Sequence, residues 1–258
     1  MGECFFIRKD LLLAFRHIIF DSLKQDFSQL FKPPSNAHPF GTDAYGRDYL
    51  ARIVHAARIS LGIGFAAVLG ALVVGTLVGG FSAYFGGTFD LIVMRLLDIL
   101  MALPSILIAI LLVSVAGTSL VSIGIAISIG LVPTFTRVAR GAALTVCGRE
   151  FIEASRSLGA SSLFIILRHI IPNCFAALLV QISLSLAAAI MSISALSYLG
   201  LGVQTPIPEW GSMLAQARAY LANSPYLAIF PGVAIMLTVL AVNLLSDGLR
   251  DATDPKLR

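Results

Sequence analysis

"ISLGIGFAAVLGALVVGTLVGGFSAY", residues 59–84, carries no charged side chain from end to end. About 20 mostly apolar residues in helical form cross the ~30 Å hydrocarbon core of a bilayer. The stretch is therefore read as a membrane-spanning helix, and it settles the fold class. Four further runs pass the same test: Leu91–Val115, Leu120–Val138, Phe175–Tyr198 and Leu227–Leu245. Composition agrees, with 57% hydrophobic and 12% charged residues in a chain of 258 and a mean hydropathy of +0.90. A soluble domain carries about a quarter charged residues, and it has too little interior to hide this much apolar surface. The expectation is an all-α, polytopic transmembrane helical bundle in a cell membrane, with five clear spans and lipid as part of its solvent.

Within the opening stretch Ala67, Ala71, Gly75, Gly79 and Ala83 recur every fourth residue, a face of small side chains that lets another helix approach closely. Ser122, Ala126, Gly130 and Thr134 repeat the pattern in the third span. Charges inside the spans are scarce. Arg95 and Asp98, three apart on one helical face, are expected to form an intramembrane pair. Pro104, Pro133 and Pro231 interrupt backbone hydrogen bonding and permit kinks.

If the spans alternate, residues 137–171 and 246–258 share one side and carry Arg137, Arg140, Arg149, Arg156, Arg168, Arg250, Lys256 and Arg258. The opposite loops, 116–119 and 199–226, contain only Arg218. Excess Lys and Arg mark the cytoplasmic side. The first sixty residues fit less simply, because Arg47, Arg52 and Arg58 then fall on the outer side, and within 1–36 "LLLAFRHIIF" is too short to span and contains Arg16 and His17. Residues 1–36 form an amphipathic or interfacial segment, or else a sixth, atypical span, ahead of a membrane domain over 37–258. The Pro-, Gly- and Asp-rich residues 37–48 read as a solvated loop leading to a helix start near Asp43 or Asp48. Trp210, the single tryptophan, reads as an interfacial aromatic anchor.

Chemistry is poorly supplied. None of the lysines at 9, 24, 32 and 256 follows a glycine, so no GxxxxGK[ST] phosphate loop exists. His17, His38, His55 and His169 lie outside the spans and form no HExxH. A single well-placed intramembrane carboxylate, Asp98, does not make an aspartyl protease, and Ser128 has no membrane-depth base. Cys4, Cys147 and Cys174 form no CxxC and read as small buried hydrophobes. The net charge of +4 reads as loop asymmetry and not as a nucleic-acid footprint. Neither an enzyme, nor a metal site, nor a cofactor is expected on this chain.

One charged segment remains. Residues 149–158 read as a short amphipathic helix in which Phe151, Ile152, Ser155 and Leu158 share one face, ended by Gly159, with a second apolar run leading back to the membrane. From the residues alone, a membrane-surface helix and a knob for a protein partner are equally served.

"EAS" at 153–155, Gly159, and "IIPN" at 170–173 resemble the EAA loop of bacterial ABC importer permeases, whose pattern is EAA, three residues, G, nine residues, I-x-L-P. Glu153, Ala154, Gly159 and Pro172 match the spacing, while Ser155, His169 and Ile171 depart from it. "HPFGTDAYGRDYLARI" (38–53), "SYLGLGVQTPIPEWGSML" (197–214) and "LLSDGLRDATDPKLR" (244–258) are similar to the C-type permease of the dipeptide, oligopeptide, glutathione and nickel importers. The resemblance implies a type I importer permease fold in the bacterial inner membrane. It implies a coupling role for Arg149, Glu150, Phe151, Ile152, Glu153, Ala154, Ser155, Arg156, Leu158 and Gly159, within a cytoplasmic coupling segment 149–172. It also implies four partners besides lipid: a homologous B-type permease chain, two ATPase subunits and an extracytoplasmic solute-binding protein. The function so implied is half of an ATP-driven translocation path for peptides or related small solutes, nickel chelates included. The alternative is a self-sufficient channel or secondary transporter, for which the spans lack an ionisable relay.

Overall fold

The computed structural model of this chain describes residues 22–253, with side chains through Gly248. The predicted helix around Leu11–Phe20 lies outside the described residues, as does Cys4. Helix α1, Tyr49–Phe85, starts where the Asp48 carboxylate accepts the Ala51 amide at 2.8 Å, satisfying an orphan donor of the first turn. Asp48, not Asp43, is thus the start signal. At 37 residues α1 is about 55 Å long, well beyond the hydrocarbon thickness. Its apolar part is the predicted span, and its first turns carry Arg52 and Arg58.

The continuous span expected over Leu91–Val115 is corrected by the structure. Helices α2, Gly87–Met101, and α3, Ser105–Ala116, meet at 85°. Pro104 stands at the corner, where it offers no amide to the preceding turn and disfavours helical backbone in the residue before it. Helix α4, Leu120–Cys147, begins with the Ser119 hydroxyl accepting the Ser122 amide at 3.0 Å, and it continues past the predicted end at Val138. Then come α5, Glu150–Ser157, α6, Ser162–Asn173, α7, Phe175–Tyr198, α8, Trp210–Ala217, and α9, Tyr226–Thr253. Among the described residues four helices can each cross a membrane by length and composition: α1, α4, α7 and the Tyr226–Gly248 part of α9. The bent pair α2–α3 makes a fifth when taken as one span.

The chain divides into two compact units. One holds the described residues up to Gly62 together with Ile193–Leu237. Here the segment 37–48, expected to be solvated, is in part built into the core: Gly41, Thr42, Asp43, Gly46 and Arg47 are buried, while Ala37, Pro39 and Tyr45 stay exposed. Asp43 accepts from Arg47 Nε at 2.7 Å and lies 3.5 Å from Arg52 Nε, with all three side chains buried. Tyr49 donates to the Leu227 carbonyl at 2.6 Å, Tyr226 donates to the Thr42 carbonyl at 2.9 Å, and Phe40 stacks on Phe230 at 4.0 Å. Glu209 is fully buried and caps α8 by accepting from the Gly211 and Ser212 amides at 2.9 and 2.8 Å. Trp210 is a core residue and not an interfacial anchor: it is 3% exposed and donates its indole N–H to the Ile53 carbonyl at 3.1 Å.

The other unit holds Ile63–Ser192 and the described residues from Thr238 onward. Its centre is the close approach of α1 to α4. A Cβ added at Gly75 would lie 2.6 Å from Phe135 Cβ, and one at Gly79 would lie 2.5 Å from the Thr136 carbonyl oxygen. Ala67, Ala71 and Ala83 are buried along the same helix. Gly70, outside the predicted set, also faces α4, at Ser128. On α4 the glycines of α1 meet Ser128, Val132, Phe135, Thr136, Ala139 and Arg140, while Gly130 of the predicted small face packs against Ser105 of α3.

Candidate functional site

Helix α5 is eight residues long, too short to persist alone, so its ends and its anchor decide whether it forms. Glu150 and Glu153 lie in the first turn and Arg156 in the last, each at the helix end whose partial charge it complements. At the C-terminus Gly159 takes φ +81°, its amide bonds the Arg156 carbonyl at 3.0 Å, and the Ala160 amide bonds the Ser155 carbonyl at 3.1 Å. That pair of reversed bonds is a Schellman cap, which needs a residue without a Cβ penalty at its left-handed position. Two residues on, Ser161 caps α6 by accepting the Phe164 amide at 3.3 Å. The helix–turn–helix is thus written in Gly159 and Ser161.

The anchor is Ile152, 1% exposed. Around it Arg149, Glu150, Phe151, Glu153, Ala154, Arg156, Leu158 and Gly159 are exposed, and Ser155 is half-buried with its hydroxyl turned back to the Phe151 carbonyl at 2.8 Å. Leu158 is 88% exposed. The single apolar face expected from Phe151, Ile152, Ser155 and Leu158 is therefore split, with Ile152 inward and Phe151 and Leu158 outward. Behind α5, helix α6 buries Ile165, Ile166 and Ile170. Residues Ile166–Ile170 form a π-helical turn ahead of Pro172, a wider register that accommodates the missing amide and the ring. His169 sits between Phe164, at 5.5 Å, and Phe151, at 6.1 Å, joining the two helices.

Around this segment the expected Arg95–Asp98 pair is present and closer pairs join it. Arg95 reaches Asp98 only at 4.0 Å, whereas Arg137 on α4 meets Asp98 at 2.5 Å. Arg140, one turn further, grips Asp90 on α2 through Nε at 2.5 Å and through its terminal nitrogen, and the Ser82 hydroxyl also donates to Asp90. Composition assigned Arg137 and Arg140 to a cytoplasmic loop. The signal that would have found them is Asp90 and Asp98 on one helix facing two arginines three apart on another. Arg156 rests its guanidinium 5.1 Å over the Tyr84 ring. Cys174, packed against the Ile170 carbonyl, has its thiol pushed up to about 11 by burial, which leaves it neutral and unreactive near neutral pH. Among the described residues no group of three or more His, Cys, Asp or Glu side chains is arranged to hold a metal.

The profile of the family described as "Binding-protein-dependent transport system inner membrane component" matches residues 61–258. Over 231 residues the chain is 46% identical to the dipeptide transport system permease protein DppC of Alkalihalophilus pseudofirmus, covering 90% of this chain and 76% of the relative. It is 44% identical over 233 residues to the glutathione transport system permease protein GsiD of Pectobacterium atrosepticum, covering 90% and 77%. Among solved structures, an inward-facing form of the MetNI methionine ABC transporter contains a chain that superposes with a TM-score of 0.64 at 17% identity, over 79% of this chain and 96% of that one. That likeness is one of fold. With this profile and these relatives, the helical bundle is a multi-pass transport permease of the bacterial inner membrane. The chain belongs to the family of inner-membrane components of binding-protein-dependent transport systems.

Proposed function

We propose that residues 149–159 dock on a separate ATPase subunit, and that the chain forms half of a translocation path for short peptides whose other half is a homologous permease chain. The observation that carries this reading is the orientation of α5: one inward anchor, Ile152, and an outward surface of Phe151, Glu153, Ala154, Arg156 and Leu158. A surface-lying membrane helix is rich in Lys and Arg on its polar face. Residues 150–157 instead hold Glu150 and Glu153 against Arg156 alone, which favours a protein partner. The cargo class follows from the names of the relatives, dipeptide and glutathione permeases, whose cargoes are both short peptides. A binding protein delivers the cargo, and hydrolysis on the ATPase subunits moves α5 as a lever.

The test is uptake of a radiolabelled dipeptide together with ATP hydrolysis in the assembled importer. Glu153→Lys, or a bulky residue at Gly159, is expected to lower uptake by about tenfold or more, since a reversed charge in a docked surface costs several kcal/mol. The amount of inserted chain stays the same and hydrolysis continues. Normal uptake by both variants overturns the docking assignment. Dipeptide transport by the bare chain in liposomes would establish the self-sufficient channel instead.

A further inference from the structure

The last turn of α1, the start of α2, the end of α4 and α5 close into a ring. Tyr84 lies two residues before Gly86 and Gly87, which take φ +59° and +54° and have nothing within 4 Å of where a Cβ would stand. Two consecutive unpacked glycines at positive φ form a soft joint in the ring. Beyond the joint Asp90 is held by Arg140 of α4 and by Ser82 of α1. Helix α4 runs directly into α5 through Gly148 and Arg149. The ring closes where Arg156 of α5 lies over Tyr84 at 5.1 Å. Among the described residues Arg156 has no carboxylate within ion-pair distance; it rests on the Tyr84 ring face and lies near Cys147 at the end of α4. A shift of α5 that keeps this contact moves Tyr84 and can be taken up at Gly86–Gly87.

We infer that Tyr84 is a positioning residue for coupling: it receives the thrust of α5 through Arg156 and passes it to the glycine joint, which re-aims α2. This inference rests on the docking reading of α5 and adds the route by which its motion reaches the bundle. The requirement is an aromatic face under a cation, with no need for the phenol hydroxyl.

The experiment uses the whole importer in liposomes, this chain with its partner permease and ATPase subunits, and reads the ratio of ATP hydrolysis with dipeptide-loaded binding protein to hydrolysis without it. Tyr84→Leu is expected to lower that ratio by about fivefold or more, the lower end of coupling between distinct sites. Tyr84→Phe keeps it within about twofold, because the ring face remains. Arg156→Gln, on an exposed side chain, matches Tyr84→Leu, and the double variant falls no further than either single one, as contacting residues in one path require. The ATPase subunits co-purify equally with the two Tyr84 variants, which lie outside the docking surface. An unchanged ratio for Tyr84→Leu, a Phe variant as impaired as the Leu variant, or a double variant whose loss is the product of the singles overturns the inference. Glu153→Lys run alongside separates the two layers: if it uncouples while Tyr84→Leu does not, only the relay fails; if neither uncouples, the docking reading fails.

Discussion

The N-terminal segment around Asp43 and the segment around Glu153 are both short, charged and irregular stretches set between apolar helices, yet they use their charges in opposite ways. Asp43 is consumed inside its own unit by Arg47, Arg52 and the Tyr45 amide, and the nearby His38 bridges Asp48 at 2.9 Å and Gln29 at 2.8 Å. Arg149, Glu150 and Glu153 are exposed and have no side-chain partner among the described residues. A charge satisfied within the chain stabilises the fold. A charge held outward on a capped, anchored helix is available to another molecule. The distinction is one of contacts, so mutation should separate it cleanly: stability should respond in the first region and transport in the second.

The largest stability effect is expected at Asp43. Asp43→Ala leaves Arg47 and Arg52 buried without their carboxylate, and the Arg52 guanidinium nitrogens already lack hydrogen-bond partners. Breaking such a pair costs about 3–5 kcal/mol, which thermal unfolding of the detergent-solubilised chain would register as a clear drop in midpoint. A midpoint equal to the parent's would show that the Asp43 carboxylate does not stabilise the fold. A smaller loss is expected at the partly buried bridge between α2 and α4. Asp90→Asn keeps the shape but removes the charge held by Arg140 and Ser82, at about 1.5–3 kcal/mol for hydrogen bonds to a charged group. Smallest of all is Leu158→Ser, which should change stability by less than about 0.5 kcal/mol at so exposed a site, while dipeptide uptake falls. Loss of stability there, with uptake intact, would move Leu158 to the structural class.

The comparison also explains what could be read from the amino-acid sequence and what could not. The apolar spans were legible because lipid imposes length and hydropathy locally, and the α5 turn was legible because Gly159 and the glutamate spacing act within a few residues. The corner at Pro104 was half legible: the proline marks a kink, but the apolar composition on both sides hides a turn of 85°. Arg137 and Arg140 looked like loop charges because the carboxylates that hold them inside α4 lie some 40 to 50 residues away in the chain. Trp210 misled for the same reason, since its acceptor is the Ile53 carbonyl of a distant helix. The outward turn of Phe151 and Leu158 depends on which apolar neighbour of Ile152 finds room in the body, a packing outcome that periodicity does not decide.

The central claim is that α5 presents its outer surface to a protein motor. The most direct measurement places a photo-crosslinking side chain at Leu158, where 88% exposure tolerates it, and irradiates the importer in native membranes. The account predicts an adduct with an ATPase subunit, lost when Glu153→Lys is added. Adducts with lipid alone would contradict it.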